Sequence, residues 1–86
     1  MTTEVTQESL GELKLYEIAS VVRKDWKKVN FGAEPYLRAM SDLESVNDDF
    51  CQDTGKGIVL YFLANASTWR GPVAREVKKY LKRISK

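Results

Sequence analysis

The sequence predicts a compact, single, all-α domain of about four helices, the last of them basic and amphipathic. Three observations point to it. Apolar residues recur at steps of three and four over two long stretches. Clusters of Asn, Gly and Pro separate those stretches. Only one short apolar run, IVLYFL at 58–63, can be read as a strand, and no second run exists to pair with it.

The first helix rests on Leu15, Ile18, Val22, Trp26 and Val29, which share one helical face. The motif SLGE at 9–12 has the spacing of a capping box. Leu10 and Leu13 nevertheless project to nearly the opposite side, at about 100° per residue. The helix is therefore expected to begin near Lys14. Residues 1–13 are set apart as a polar N-terminal segment free to be flexible, and residues 14–86 form the helical domain. A second, short helix follows VNFGAEPY. Asn30 and Gly32 favour a turn, and Pro35 suits a first helical turn, where its missing N–H costs nothing. Tyr36, Leu37 and Met40 give it an apolar side, and it should stop near Ser41 and Asp42.

SVNDDF at 45–50 reads as the start of a third helix. Ser45 or Asn47 is its cap, and Asp48 and Asp49 favour the positive end of the dipole. The helix is expected to reach about Ser67, weakened by Gly55 and Gly57 by roughly 1 kcal/mol each relative to Ala. Its run IVLYFLA is apolar on every side, which predicts the most buried helix of the fold. Leu60, Phe62 and Leu63 should then be core, with Ile18, Val22, Trp26, Val77 and Leu81 around them. Gly71 and Pro72 separate this helix from the last. There Val73, Ala74, Val77, Tyr80, Leu81 and Ile84 fall on an arc of roughly 120°. Arg75, Lys78, Lys79, Lys82, Arg83 and Lys86 fill the opposite arc.

Composition excludes several classes. The chain has 86 residues, 43% hydrophobic and 30% charged, a balance suited to one folded domain rather than to disorder. It has no run of about 18 apolar residues, so no membrane span is expected. The start MTTEVTQESLGEL lacks the basic and apolar regions of a signal peptide. Cys51 is the only cysteine, so no intramolecular disulfide can form, and a cytoplasmic protein is expected. The net charge of +2 hides segregation. Residues 42–53 carry five acids and no base, whereas residues 69–86 carry seven bases against Glu76.

The absence of histidine removes Ser-His and Cys-His nucleophile pairs, the usual neutral-pH base and most zinc sites. Cys51 reads as an apolar filler. Asp42, Glu44, Asp48, Asp49 and Asp53 lack EF-hand spacing and read as a solvated helix start, or else as an acidic patch for a protein. Gly55-Lys56-Gly57 resembles the tail of a phosphate loop only superficially, because the first Gly is not in place and no strand is expected before it. No catalytic, cofactor-binding or metal-binding residue is assigned, and an enzyme is not expected. Asn65 and Thr68 share a side with Thr54, Ile58 and Tyr61. Asn65 is expected to tie its helix to the FGAEP connection.

The candidate binding residues are Trp69, Arg70, Arg75, Lys78, Lys79, Lys82 and Arg83. Trp69 either packs across the corner between helices, with Arg70 paired to an acid of residues 42–53, or stands exposed with Arg70 as a partner's anchor. The basic face is read first as solvated, then as contacting an acidic protein, then as contacting nucleic acid. A base-reading helix-turn-helix would carry Gln, Asn, Ser or Arg near the start of its second helix, and PVAREV offers only Arg75.

RKDWKKVNFGAEPYLRAM at 23–40, followed by YFLANASTWRGPVAREVKKYLK at 61–82, resembles a group of short bacteriophage and prophage proteins of uncharacterised function. The likeness runs from about residue 16 to the C-terminus and leaves out residues 1–13. It implies no reaction, only a phage setting in which small proteins often bind a host or viral macromolecule. The expected function is that of a small non-enzymatic phage-type accessory protein in the host-cell cytoplasm, binding a host or phage protein. The alternative is weak, non-specific nucleic-acid binding through the basic C-terminal helix. No cofactor, metal or membrane is expected to take part.

Overall fold

The computed structural model describes residues 5–50 and 53–85. Its order is α1 (Gln7–Leu10), α2 (Leu15–Asp25), α3 (Glu34–Met40), a two-residue antiparallel pair β1 (Asp49–Phe50) and β2 (Asp53–Thr54), α4 (Gly55–Ala64) and α5 (Pro72–Ile84). The all-α class holds, with a short fifth helix at the front. Cys51 and Lys86, read above as a filler and as part of the basic face, lie outside the described residues.

The stripe of α2 behaves as its spacing requires. Leu15, Ile18, Val22 and Trp26 are buried, and Val29 is partly so. α3 begins with Pro35 in its first turn, buries Leu37 and Met40, and ends at Ser41. α5 buries Ala74, Val77 and Leu81, with Val73, Tyr80 and Ile84 packed beside them. Gly71 precedes it at φ 118°, ψ 178°, a region essentially confined to glycine, which turns the chain sharply into α5.

Residues 1–13 do not stand apart as far as they are described. Thr6 caps α1 by accepting from the Ser9 N–H at 3.1 Å, and the Ser9 hydroxyl accepts from the Thr6 N–H at 2.9 Å. The capping box therefore starts at Thr6, three residues before the SLGE motif expected to supply it. α1 lies on α5, Leu10 is buried, and Leu13 packs against the core. Residues 11–14 reorient the chain between α1 and α2, so a single helical projection from 10 to 29 could not place Leu10.

Residues 45–50 do not open a helix. Asp48 folds back, its carboxylate accepting from the N–H groups of Glu44 and Ser45 at 3.0 and 3.2 Å. The segment caps two helices from a distance. The carbonyls of Glu44 and Leu43 take the N–H groups of Leu15 and Tyr16 at the start of α2. Those of Asp48 and Val46 take the N–H groups of Gly55 and Lys56 at the start of α4. α4 therefore begins at Gly55, with Thr54 as its cap, accepting from the Gly57 N–H at 3.0 Å. A Cβ on Gly55 would lie 2.8 Å from the Ser45 carbonyl oxygen and 2.9 Å from that of Asp48. Its lack of a side chain is the condition for this junction rather than a weakness of the helix.

α4 is also not buried all round. Ile58, Val59 and Phe62 face inward, but Leu60 is 49% exposed and Leu63 only partly buried. Phe62 is the one of the three expected core residues that is fully enclosed. α4 packs on α3 and α5, which leaves its third side open to solvent.

Candidate functional site

Trp69 is a core residue, not an exposed anchor. It is 2% exposed and stacks on Trp26 with ring centroids 5.7 Å apart. Phe62 meets both rings edge-on, at 6.3 Å from Trp26 and 6.4 Å from Trp69. The Trp69 indole N–H donates to the Asp25 carboxylate at 2.8 Å. Its neighbour Arg70 points outward and forms no ion pair with any described side chain. The corner thus takes the packing reading for Trp69, and Arg70 pairs with none of Asp42, Glu44 and Asp48.

Lys78 also leaves the set of free cations. It is half-buried, and its ammonium donates to the Trp69 carbonyl while sitting over the indole ring. Desolvation, and then the nearby charges of Lys82 and Arg70, push its pKa below the ordinary lysine value.

Arg75, Lys79, Lys82 and Arg83 remain exposed on one side of α5. Arg83 lies over the Tyr80 ring at 5.5 Å. The only acid on the helix, Glu76, is occupied by Gln7, whose amide donates to its carbonyl at 2.8 Å and its carboxylate at 3.2 Å. Arg70, Arg75 and Lys78 line an open cleft of about 320 Å³ together with Trp69, Gly71 and Ala74.

Most described acids are used elsewhere. Glu34 bridges to Arg23 at 2.9 Å and to Arg38 at 3.7 Å, and the Arg23 hydrogen bond holds its carboxyl below the usual range. Glu44 pairs with Lys14 at 3.1 Å, Glu17 accepts from the Lys14 N–H, and Asp25 and Asp48 are held as described. Among the described residues, no group of three or more Cys, Asp or Glu gathers in a way that could hold a metal ion. No helix among them is long and apolar enough to cross a membrane.

Sequence reasoning missed a second surface. Leu60 and Tyr61 face outward on successive positions of α4, at 49% and 54% exposure. The Tyr61 ring stacks on Tyr36 of α3 at 5.3 Å. Phe31, 93% exposed, projects from the connection between α2 and α3. That connection is fastened to the end of α4. The Asn30 amide donates to the Asn65 carbonyl at 3.1 Å, and the position a Gly32 Cβ would take is 2.7 Å from Asn65 Oδ1. The expected tie between Asn65 and this connection is made not by the Asn65 side chain but by its carbonyl, which accepts from Asn30. The Asn65 amide instead donates to the Tyr61 carbonyl at 2.9 Å, and Thr68 is exposed. Lys56, four residues before Leu60, is the one polar residue on the exposed side of α4, and the rest of its outer arc, Gly57, Leu60, Tyr61 and Ala64, is apolar, so its sequence carried little sign of exposure.

Comparison of the chain with protein-family models, with curated proteins and with solved structures finds no match.

Proposed function

We propose that the protein is a small non-enzymatic accessory protein that binds another protein through the face built by Tyr36, Leu60 and Tyr61. The observation that carries this is the pair Leu60–Tyr61, two neighbouring large apolar side chains left open on the most apolar helix of the chain. Isolated exposed apolar residues are common, but contiguous ones rimmed by polar groups mark interaction sites. Tyrosine is also a residue type enriched where partners meet. The partner is a host or phage protein that offers an apolar surface. The resemblance of residues 16–86 to short phage and prophage proteins supports that setting.

The test uses tagged wild-type protein and the variant L60S/Y61S, both checked for helicity by circular dichroism, in a pull-down from the bacterial host. The expected result is a partner retained by wild type and lost by L60S/Y61S. A partner held equally well by both proteins would overturn the reading. Light scattering of the purified protein provides a second check. A concentration-dependent dimer abolished by the same variant would show that a second copy covers the face and would also overturn it.

A further inference from the structure

We infer that the exposed cations of α5, with Arg70 ahead of them, form a surface for the phosphodiester backbone of nucleic acid, bound without regard to base sequence. Arg75, Lys79, Lys82 and Arg83 stand at i, i+4, i+7 and i+8, a stripe about 12 Å long at 1.5 Å per residue. Their only acidic neighbour on the helix, Glu76, accepts from the neutral amide of Gln7 and pairs with none of them, so the stripe sets four cations against one carboxylate. Arg70 extends the charge to the other side of Gly71, where with Arg75 and Lys78 it lines the open cleft.

The same features weigh against an acidic protein on this surface. Protein interfaces are built around apolar or aromatic anchors and are depleted in lysine. This stripe has two lysines and no exposed large apolar side chain. Tyr80, the nearest ring, is partly buried and lies under Arg83. Phosphates need no such anchor, because the affinity comes from counterion release. Sequence independence follows from what is missing from the stripe. It carries no Asn, Gln, Ser or Thr to read base edges, and of its two arginines only Arg75 lies near the start of the helix, where a reading helix makes its base contacts. The surface shares no residue with the face of Tyr36, Leu60 and Tyr61, so this inference does not depend on the proposed protein partner.

The test is fluorescence anisotropy of a labelled duplex of arbitrary sequence, with the full chain, at about 50 and 200 mM salt. Three to four phosphate contacts at a log–log slope of about 0.9 each predict an affinity loss of roughly 40- to 150-fold between the two conditions. Binding near 150 mM salt should be in the 10⁻⁴ to about 10⁻⁶ M range. The triple variant R75E/K79E/K82E should abolish binding. The neutral variant R75Q/K79Q/K82Q should weaken it, and L60S/Y61S should leave it unchanged. Lys78 is left intact in all of them because it holds the Trp69 carbonyl. Failure to bind at 50 mM salt would overturn the inference. So would binding that the charge variants do not alter, an equally strong complex with polyglutamate, or a marked preference for one base sequence.

Discussion

Trp69 lies flat against Trp26, and its indole N–H is spent on Asp25 across the corner between α4 and α5. A tryptophan beside an arginine and a glycine gives no sign in sequence of whether its ring is buried. The deciding fact is a distant carboxylate that satisfies the N–H. Trp69→Ala should cost about 3–5 kcal/mol, the range for a large aromatic removed from a core. Asp25→Ala should cost about 1–3 kcal/mol, because it leaves the indole donor unpaired in a part-buried site. Urea titrations followed by circular dichroism measure both. An Asp25→Ala protein as stable as wild type would show that solvent serves the indole equally well. Gly55 makes the opposite point about local rules. Helix propensity alone favours alanine there by about 1 kcal/mol. The carbonyls of Ser45 and Asp48 stand where its Cβ would go, and both belong to backbone that cannot simply rotate away. Gly55→Ala should therefore destabilise by about 1–3 kcal/mol, as overpacking does, and a stabilised variant in the same titration would refute that geometry.

At the scale of elements, α2, α3 and α5 were legible in the sequence because each carries its own punctuation and a periodic stripe. The first turn of α3 has Pro35, α5 has Gly71 and Pro72, and both long stripes bury as spaced. The N-terminus of α4 was not legible, because carbonyls of residues 46 and 48 partner its first N–H groups and Thr54 adds only one local bond. α1 was missed for a related reason. Four helical residues carry no period, and Leu10 is buried only because α5 lies beneath it. The docking of α1 predicts that Leu10→Ala costs about 2–5 kcal/mol. Deleting residues 1–8, which removes the Thr6 cap and the Gln7–Glu76 bonds, should lower the melting temperature measurably. A deletion protein that melts like the full chain would leave α1 an ornament. The α2–α3 junction adds a pH dependence. Glu34 has its carboxyl pKa depressed by its hydrogen bond to Arg23, so its contribution is complete above the unfolded value of about 4.3 and disappears as pH falls through the lower folded value. Wild type should exceed Glu34→Gln in melting temperature near neutral pH. The gap should close as the pH falls below the unfolded value. An unchanging gap across that range would place the effect in packing rather than in charge.

Across the whole molecule, the distribution of charge follows from where the acids are used. Glu17, Asp25, Glu34, Glu44 and Asp48 serve as caps, pairs and hydrogen-bond acceptors on other elements, so α5 keeps its cations close to one another. The basic face was readable from spacing alone. That Lys78 turns to the Trp69 carbonyl, that Trp69 is core, and that an apolar face opens on α4, required the packed structure. Like charges at i and i+4 on a helix destabilise it by about 0.2–0.5 kcal/mol per pair, while opposite charges stabilise it by similar amounts. Lys79 stands in two such like-charge pairs, with Arg75 before it and Arg83 after it. Lys79→Glu converts both into attractive pairs on an exposed side of the helix, away from the buried Ala74, Val77 and Leu81. The two conversions are worth about 0.8–2 kcal/mol, but the pair with Glu76 three residues earlier turns from attractive to repulsive and offsets about half of that, so the substitution should raise stability by roughly 0.4–1 kcal/mol, or several degrees for a chain this small. It should also weaken the duplex binding inferred above. A rise in melting temperature together with a loss of affinity would show that the cations are held in place at the expense of the fold, as binding surfaces commonly are. If Lys79→Glu instead melts lower than wild type at low salt, the crowding of charge on α5 is not destabilising, and the contrast between its free bases and the engaged acids elsewhere loses its energetic meaning.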